Sequence, residues 1–184
     1  MKKLLLLFII YYSYADNVAR EKTDFEQVTN YINSHGYDYI NKMDALKYAG
    51  MIIGKSEKYN LNPHFVARLV NTESRYKKTA GNRIAYGLMG IRPRFWSNDL
   101  GRMFPYLNLN NRYKVIKYIK NPYHGLELGC FILSNYIDDN NGDYSKGALQ
   151  YWAGRNSSHF RYAKRNKQYF LTNKYIKEIM ADAN

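Results

Sequence analysis

A single cysteine, Cys130, serves the 184 residues, so no internal disulfide can staple the fold. It lies in the apolar stretch GLELGCFIL and reads as a small buried hydrophobe. There is no internal repeat, no low-complexity tract and no series of alternating segments long enough for a sheet-based fold. Nor is there an apolar run of the roughly 20 residues that a membrane-crossing helix needs. The run Leu4 to Ile10 is followed too soon by Asp16, Arg20 and Glu21. His35, His64, His124 and His159 show no ligand spacing, so neither a metal nor another cofactor is expected. Acidic residues are scarce: 15 Asp+Glu stand against 28 Lys+Arg, a formal net charge of +13. A surface that basic favours a polyanion, whether nucleic acid, anionic lipid or an acidic wall polymer, and charge alone does not choose among them.

The N-terminus narrows the choice. MKKLLLLFIIYYSYA has two lysines, an apolar run and small residues at Ser13 and Ala15, the pattern of a secretory signal peptide over residues 1–15. The expected location is therefore periplasmic or secreted, where nucleic acid is a less natural partner. Cys130 lies far from the leader, which excludes the lipidated cysteine of a lipoprotein. The length suits one domain with a short extra segment. We divide the chain into the leader, a polar and loosely helical extension over 16–45, and a domain over 46–184.

Helical periodicity dominates the domain. Leu46, Ala49, Ile52 and Ile53 mark a helix from Met43 to about Lys58. Asn62-Pro63 is a start signal: an N-cap followed by proline at the first helical position, where its missing N–H costs nothing. Asn121-Pro122 repeats the device before a helix apolar enough to be the centre of a bundle, which Asn140-Asn141-Gly142 ends. Another helix is expected over Ser145–Ala153, and a last one in the tail TNKYIKEIM. Between Lys77 and Pro93, Gly81, Gly87, Gly90 and alternating residues predict a turn with a short hairpin. The expected fold is mostly α.

One residue breaks the pattern. Phe65, Val66, Leu69 and Val70 form a stripe, and Glu73 continues it at the i+3 and i+4 spacing. A carboxylate on a core-facing stripe is poorly solvated, which disfavours its charged form and raises its pKa. Either the helix frays at Thr72 and Glu73 swings to solvent or pairs with a neighbouring cation, or Glu73 is an acid kept protonated for transfer.

The text around Glu73 favours the second. YNLNPHFVARLVNTESRYKKTAGNRIAYGLMGIRP resembles the soluble, goose-lysozyme-like lytic transglycosylases, in which a helix ends in Glu-Ser and a Gly-Leu-Met-Gln turn follows. Here these are Glu73-Ser74 and Gly87-Leu88-Met89, preceded by Ala85-Tyr86. NPYHGLELGCFIL is similar to the family's later helix, matched at Asn121-Pro122 and Leu128-Gly129, and ALQYWAG to its Ala-Tyr-Asn-Ala-Gly motif, matched at Tyr151, Ala153 and Gly154. The resemblance spans roughly residues 46–165. Gly90 stands where the family usually has Gln, and Trp152 where it usually has Asn; both positions line the family's sugar cleft.

The resemblance implies a lysozyme-like helical fold with a short β-hairpin beside the site. It also implies cleavage of the β-1,4 bond between N-acetylmuramic acid and N-acetylglucosamine, with closure of a 1,6-anhydro ring. Glu73 would be the single general acid and base. Glu127 reads as a polar-face residue or structural partner. Substrate contacts are expected from Ser74, Tyr86, Met89, Tyr151 and Trp152, with Met89 a soft apolar wall of the cleft. Ser74 has the alternative of capping the helix end, and Tyr151 and Trp152 of packing in the core. Lys77, Lys78, Arg83, Arg92 and Arg94 flank the motif loops and suit the acidic groups of peptidoglycan. The expected partners are glycan strands of peptidoglycan, with no nucleic acid and no stable membrane insertion once the leader is removed. Residues 16–45 leave room for a secretion-system partner, and a monomer is expected. A hydrolytic muramidase of the same fold stays open as an alternative, as does a non-catalytic wall-binding or secretion-accessory module.

Overall fold

The structure, a computed structural model, describes residues 2–37, 40–81, 84–93, 112–154, 177 and 179–180. Among the described residues there are six helices: α1 (Lys2–His35), α2 (Lys42–Lys58), α3 (Pro63–Ser74), α4 (Arg112–Lys120), α5 (Pro122–Asp138) and α6 (Tyr144–Ala153). The fold is a mostly helical, lysozyme-like domain. No helix among the described residues is long and apolar enough to cross a membrane.

Local chemistry sets the helix ends. Asn62 accepts hydrogen bonds from the backbone N–H groups of His64 and Phe65, and Asn121 from those of Tyr123 and His124. Each asparagine thus satisfies donors that the first helical turn leaves without partners. Asn141 and Gly142 both take positive φ after α5, and Asp143 then caps α6 through the Lys146 N–H.

Helix α5 is the centre. Leu126, Leu128, Cys130, Ile132, Leu133, Tyr136 and Ile137 are all buried on it, and α2, α4 and α6 pack around it. Cys130 is buried and free, its thiol pushed up to about 12 by burial.

The N-terminal segment differs from the loose extension expected for it. Helix α1 is continuous across the boundary drawn after Ala15 and ends at His35. It packs on α2 and α3, with Val28 and Ile32 wholly buried in the shared core. His64 on α3 meets Asp24 on α1 at 3.0 Å. An amphipathic stretch of this length is weakly helical alone and becomes regular when its apolar face is covered. The expected hairpin is reduced to isolated antiparallel bridges, Gly81 with Tyr86 and Tyr86 with Ile91. Most of the tail TNKYIKEIM lies outside the described residues, although Ile179 is buried in the core.

Candidate active site

Helix α3 does not fray at Thr72. It runs to Ser74 and is stopped by two successive left-handed residues, Arg75 (φ 50°) and Tyr76 (φ 62°). Positive φ on non-glycine residues is uncommon and persists only where the surroundings enforce it. Here the enforcement is Tyr76, which is 1% exposed, stacks with Tyr48 at 6.2 Å and donates its hydroxyl to the Ala67 carbonyl at 2.6 Å. The chain doubles back, and the anchored tyrosine holds the last turn of α3 in place. Glu73 projects from that turn and is partly buried. Ser74 donates its hydroxyl to the Val70 carbonyl at 3.0 Å, so its proton is committed to its own helix.

Facing Glu73 is the turn over residues 86–91. Tyr86 and Ile91 exchange backbone hydrogen bonds of 2.9 and 3.0 Å, and the Gly87 N–H reaches the Ala80 carbonyl at 2.9 Å. Met89 is wholly buried, and a Cβ on Gly129 of α5 would lie 2.2 Å from its sulfur. The Met89 side chain is therefore a core plug and not the cleft wall expected of it. The glycine on α5 leaves a notch, the thioether fills the notch, and its partner atoms leave no face for a sugar. The Met89 carbonyl accepts a 2.7 Å hydrogen bond from the Tyr151 hydroxyl on α6.

Gly90 follows directly. It takes φ +59°, and a Cβ built on it would fall 2.1 Å from Oε2 of Glu73. The carboxylate thus lies against the bare backbone of residue 90. Tyr151 is the third member of the group: burial raises its phenol well above the ordinary value, and the charge of Glu73 adds to the shift. Catalytic candidate, glycine turn and motif tyrosine, distant in sequence, are close in space.

The other expected contacts lie around this group. Tyr86 is partly buried in the turn, with the Lys120 ammonium 5.4 Å from its ring. Trp152 is partly buried against the core, and its carbonyl accepts from the Arg92 guanidinium at 3.4 Å. Lys77 and Lys78 are exposed, while Arg83 and Arg94 lie outside the described residues. Among the described residues there is no group of three or more His, Cys, Asp or Glu able to hold a metal ion.

Glu127 is a structural partner. It is buried on α5 and paired with Lys55 and Lys58 of α2, and it accepts from the Tyr59 hydroxyl at 2.7 Å. Burial alone would raise its pKa, but the hydrogen bonds from Lys55, Lys58 and Tyr59 bring it down to about 2. An acid held that low has no proton to give near neutrality.

Comparison with protein families matches residues 50–175 to the transglycosylase SLT domain. The match covers more than half of the chain. The protein belongs to the transglycosylase SLT family. Peptidoglycan is accordingly the substrate class, and lytic transglycosylase-type activity the general assignment. A search of curated proteins finds no significant match. In this SLT domain the sequence motifs meet where the geometry places Glu73, the 86–91 turn and Tyr151. The sequence marked Gly90 only as a departure from the family pattern and Gly129 only as a motif match. Their contacts with Glu73 and Met89 have no periodic signal, although a glycine beside a bulky motif residue is a hint of close approach.

Proposed function

We propose that the protein is a peptidoglycan lytic transglycosylase with Glu73 as its single general acid and base. The observation that carries this reading is the seat of Glu73: partly buried at the end of α3, against Gly90, and close enough to Tyr151 to perturb its hydroxyl. A carboxyl group in such a setting can hold a proton, release it to a leaving oxygen and take one back.

The protonated Glu73 donates to the oxygen bridging N-acetylmuramic acid and N-acetylglucosamine, and that C–O bond breaks. Positive charge develops at muramic C1, where the neighbouring 2-acetamido group shares it. The carboxylate then takes the proton of the muramic C6 hydroxyl, whose oxygen bonds to C1 and closes the 1,6-anhydro ring. No water enters, so one acid suffices where hydrolysis would need a second carboxylate. Each proton transfer of this type is worth about 10² to 10⁴ in rate. Tyr86 and Trp152, both partly exposed beside the turn, are the side chains for sugar stacking. The exposed Lys77 and Lys78 suit the carboxylates of stem peptides. The leader pattern supports a periplasmic or secreted location.

The test is mass spectrometry of muropeptides released from purified sacculi by the wild type and by Glu73→Gln. Anhydro products from the first and none from the second are expected. Products heavier by one water identify a muramidase, and no release by the wild type identifies a binding module.

A further inference from the structure

We infer that Lys117 and Lys120 of α4 extend the substrate site beyond Tyr86 and recognise the stem-peptide carboxylates of the glycan strand. The inference rests on the reading of Glu73 and its turn as the place of cleavage, and it goes further by naming a specificity surface outside the sequence motifs. Both lysines are exposed. With Tyr113, which is 75% exposed, they fall at i, i+4 and i+7 of α4, a single stripe on the side away from the buried Val115 and Ile119. Between Asp99 and Glu127 the sequence has no acid, and Glu127 is turned inward onto Lys55. Among the described residues neither Lys117 nor Lys120 joins an ion pair.

The stripe ends at the candidate site. The Lys120 ammonium lies 5.4 Å from the centre of the Tyr86 ring. Tyr86 in turn exchanges backbone hydrogen bonds with Ile91, the residue after Gly90. The backbone beside Lys120 is fixed: a Cβ on Gly87 would lie 2.5 Å from the Ile119 carbonyl oxygen, and one on Gly125 would lie 2.3 Å from the same oxygen. The end of α4 is thus wedged between the turn and α5, with no space for a side chain on either glycine. An aromatic face engages one side of an ammonium, so Lys120 keeps donors for an anion. A glycan strand held at Glu73 has to leave across surfaces beside the turn. Its sugars offer apolar faces to tyrosine rings, and its peptide-bearing muramic residues offer carboxylates to cations. Nucleic acid would match the charge, but the continuity with the turn facing Glu73 favours the strand.

The test compares soluble, peptide-bearing glycan strands with the same strands after their carboxylates are converted to amides. Lys120→Met and Lys117→Met keep an unbranched side chain and delete the charge, whereas Lys120→Arg keeps the charge. On native strands each methionine variant is expected to raise KM about fivefold, the scale of an exposed ion pair, with kcat held. Lys120→Arg is expected to stay near the wild-type KM. On amidated strands, and on native strands at high salt, the methionine variants and the wild type are expected to converge. Cations in the last turn of a helix also stabilise the helix itself. That role moves Tm but not the difference between the two substrates. An unchanged KM for either methionine variant on native strands, an equal rise on amidated strands, or a Lys120→Arg that behaves as Lys120→Met would overturn the proposal. So would loss of affinity for an oligonucleotide in place of the strand. Binding is also measured in the Glu73→Gln background, where Lys120→Met is expected to weaken native-strand binding about fivefold. Full activity of Glu73→Gln, or no turnover by the wild type, would instead refute the role of Glu73, and this binding arm would still report on α4.

Discussion

The Tyr151 hydroxyl donates to the Met89 carbonyl across 2.7 Å, tying α6 to the turn that faces Glu73. This bond joins two motifs that lie 62 residues apart. Tyr151→Phe keeps the ring and deletes the donor, leaving a carbonyl without its partner. The expected destabilisation is about 1–3 kcal/mol. Activity should fall further than stability, because the turn that seats Glu73 loses one anchor. Thermal melts and muropeptide release on the same preparations separate the two effects. Unchanged values of both would show that the bond holds nothing.

Met89 and Gly129 form a plug and a notch. Met89→Ala opens a cavity in the core and is expected to cost about 2–5 kcal/mol. Gly129→Ala fills the notch from the other side and should also destabilise, by overpacking. If Met89 instead lined an open cleft, its truncation would leave denaturant midpoints near the wild-type value.

The clamp around Glu127 gives the stability a pH signature. Its folded pKa of about 2 lies below its ordinary 4.5. The stabilisation is therefore full above about pH 4.5 and is lost as the pH falls through 2. For Lys55, burial opposes the charge, but bonding to Glu127 and Tyr123 outweighs it and raises the pKa above 10.5. That contribution is full below pH 10.5 and is lost as the pH climbs past the raised value. Glu127→Gln should cost about 3–5 kcal/mol near neutrality, since it strands the buried Lys55 without its counter-charge. Chemical denaturation from pH 2 to 7 should give a flatter curve for the variant than for the wild type. Parallel curves would remove Glu127 from the account.

Helix α1 belongs to the core through Val28 and Ile32, both wholly buried. Ile32→Ala is expected to cost about 2–5 kcal/mol. A segment docked loosely outside the domain would tolerate the change within about 0.5 kcal/mol, as surface positions do.

Helices α2, α3, α5 and α6 were legible from residues close in the chain. Asn62-Pro63 and Asn121-Pro122 begin helices because their side chains satisfy N–H groups only two or three residues away. The stripe from Phe65 to Val70 identifies a buried face because side chains repeat with the helical turn. The same stripe made Glu73 stand out. What lies opposite that face is another matter. Glu73 meets Gly90, Met89 meets Gly129, and Glu127 meets Lys55 and Lys58, all across gaps in sequence with no repeating pattern. The chain alone therefore determined where helices start and which residues turn inward. Only the packing decided that Met89 is a plug, that Ser74 bonds to its own helix, and that the Glu73 carboxylate lies against Gly90. Hydrogen bonds within a turn act over a few residues, whereas the space available to a side chain is set by whatever the folded chain brings against it.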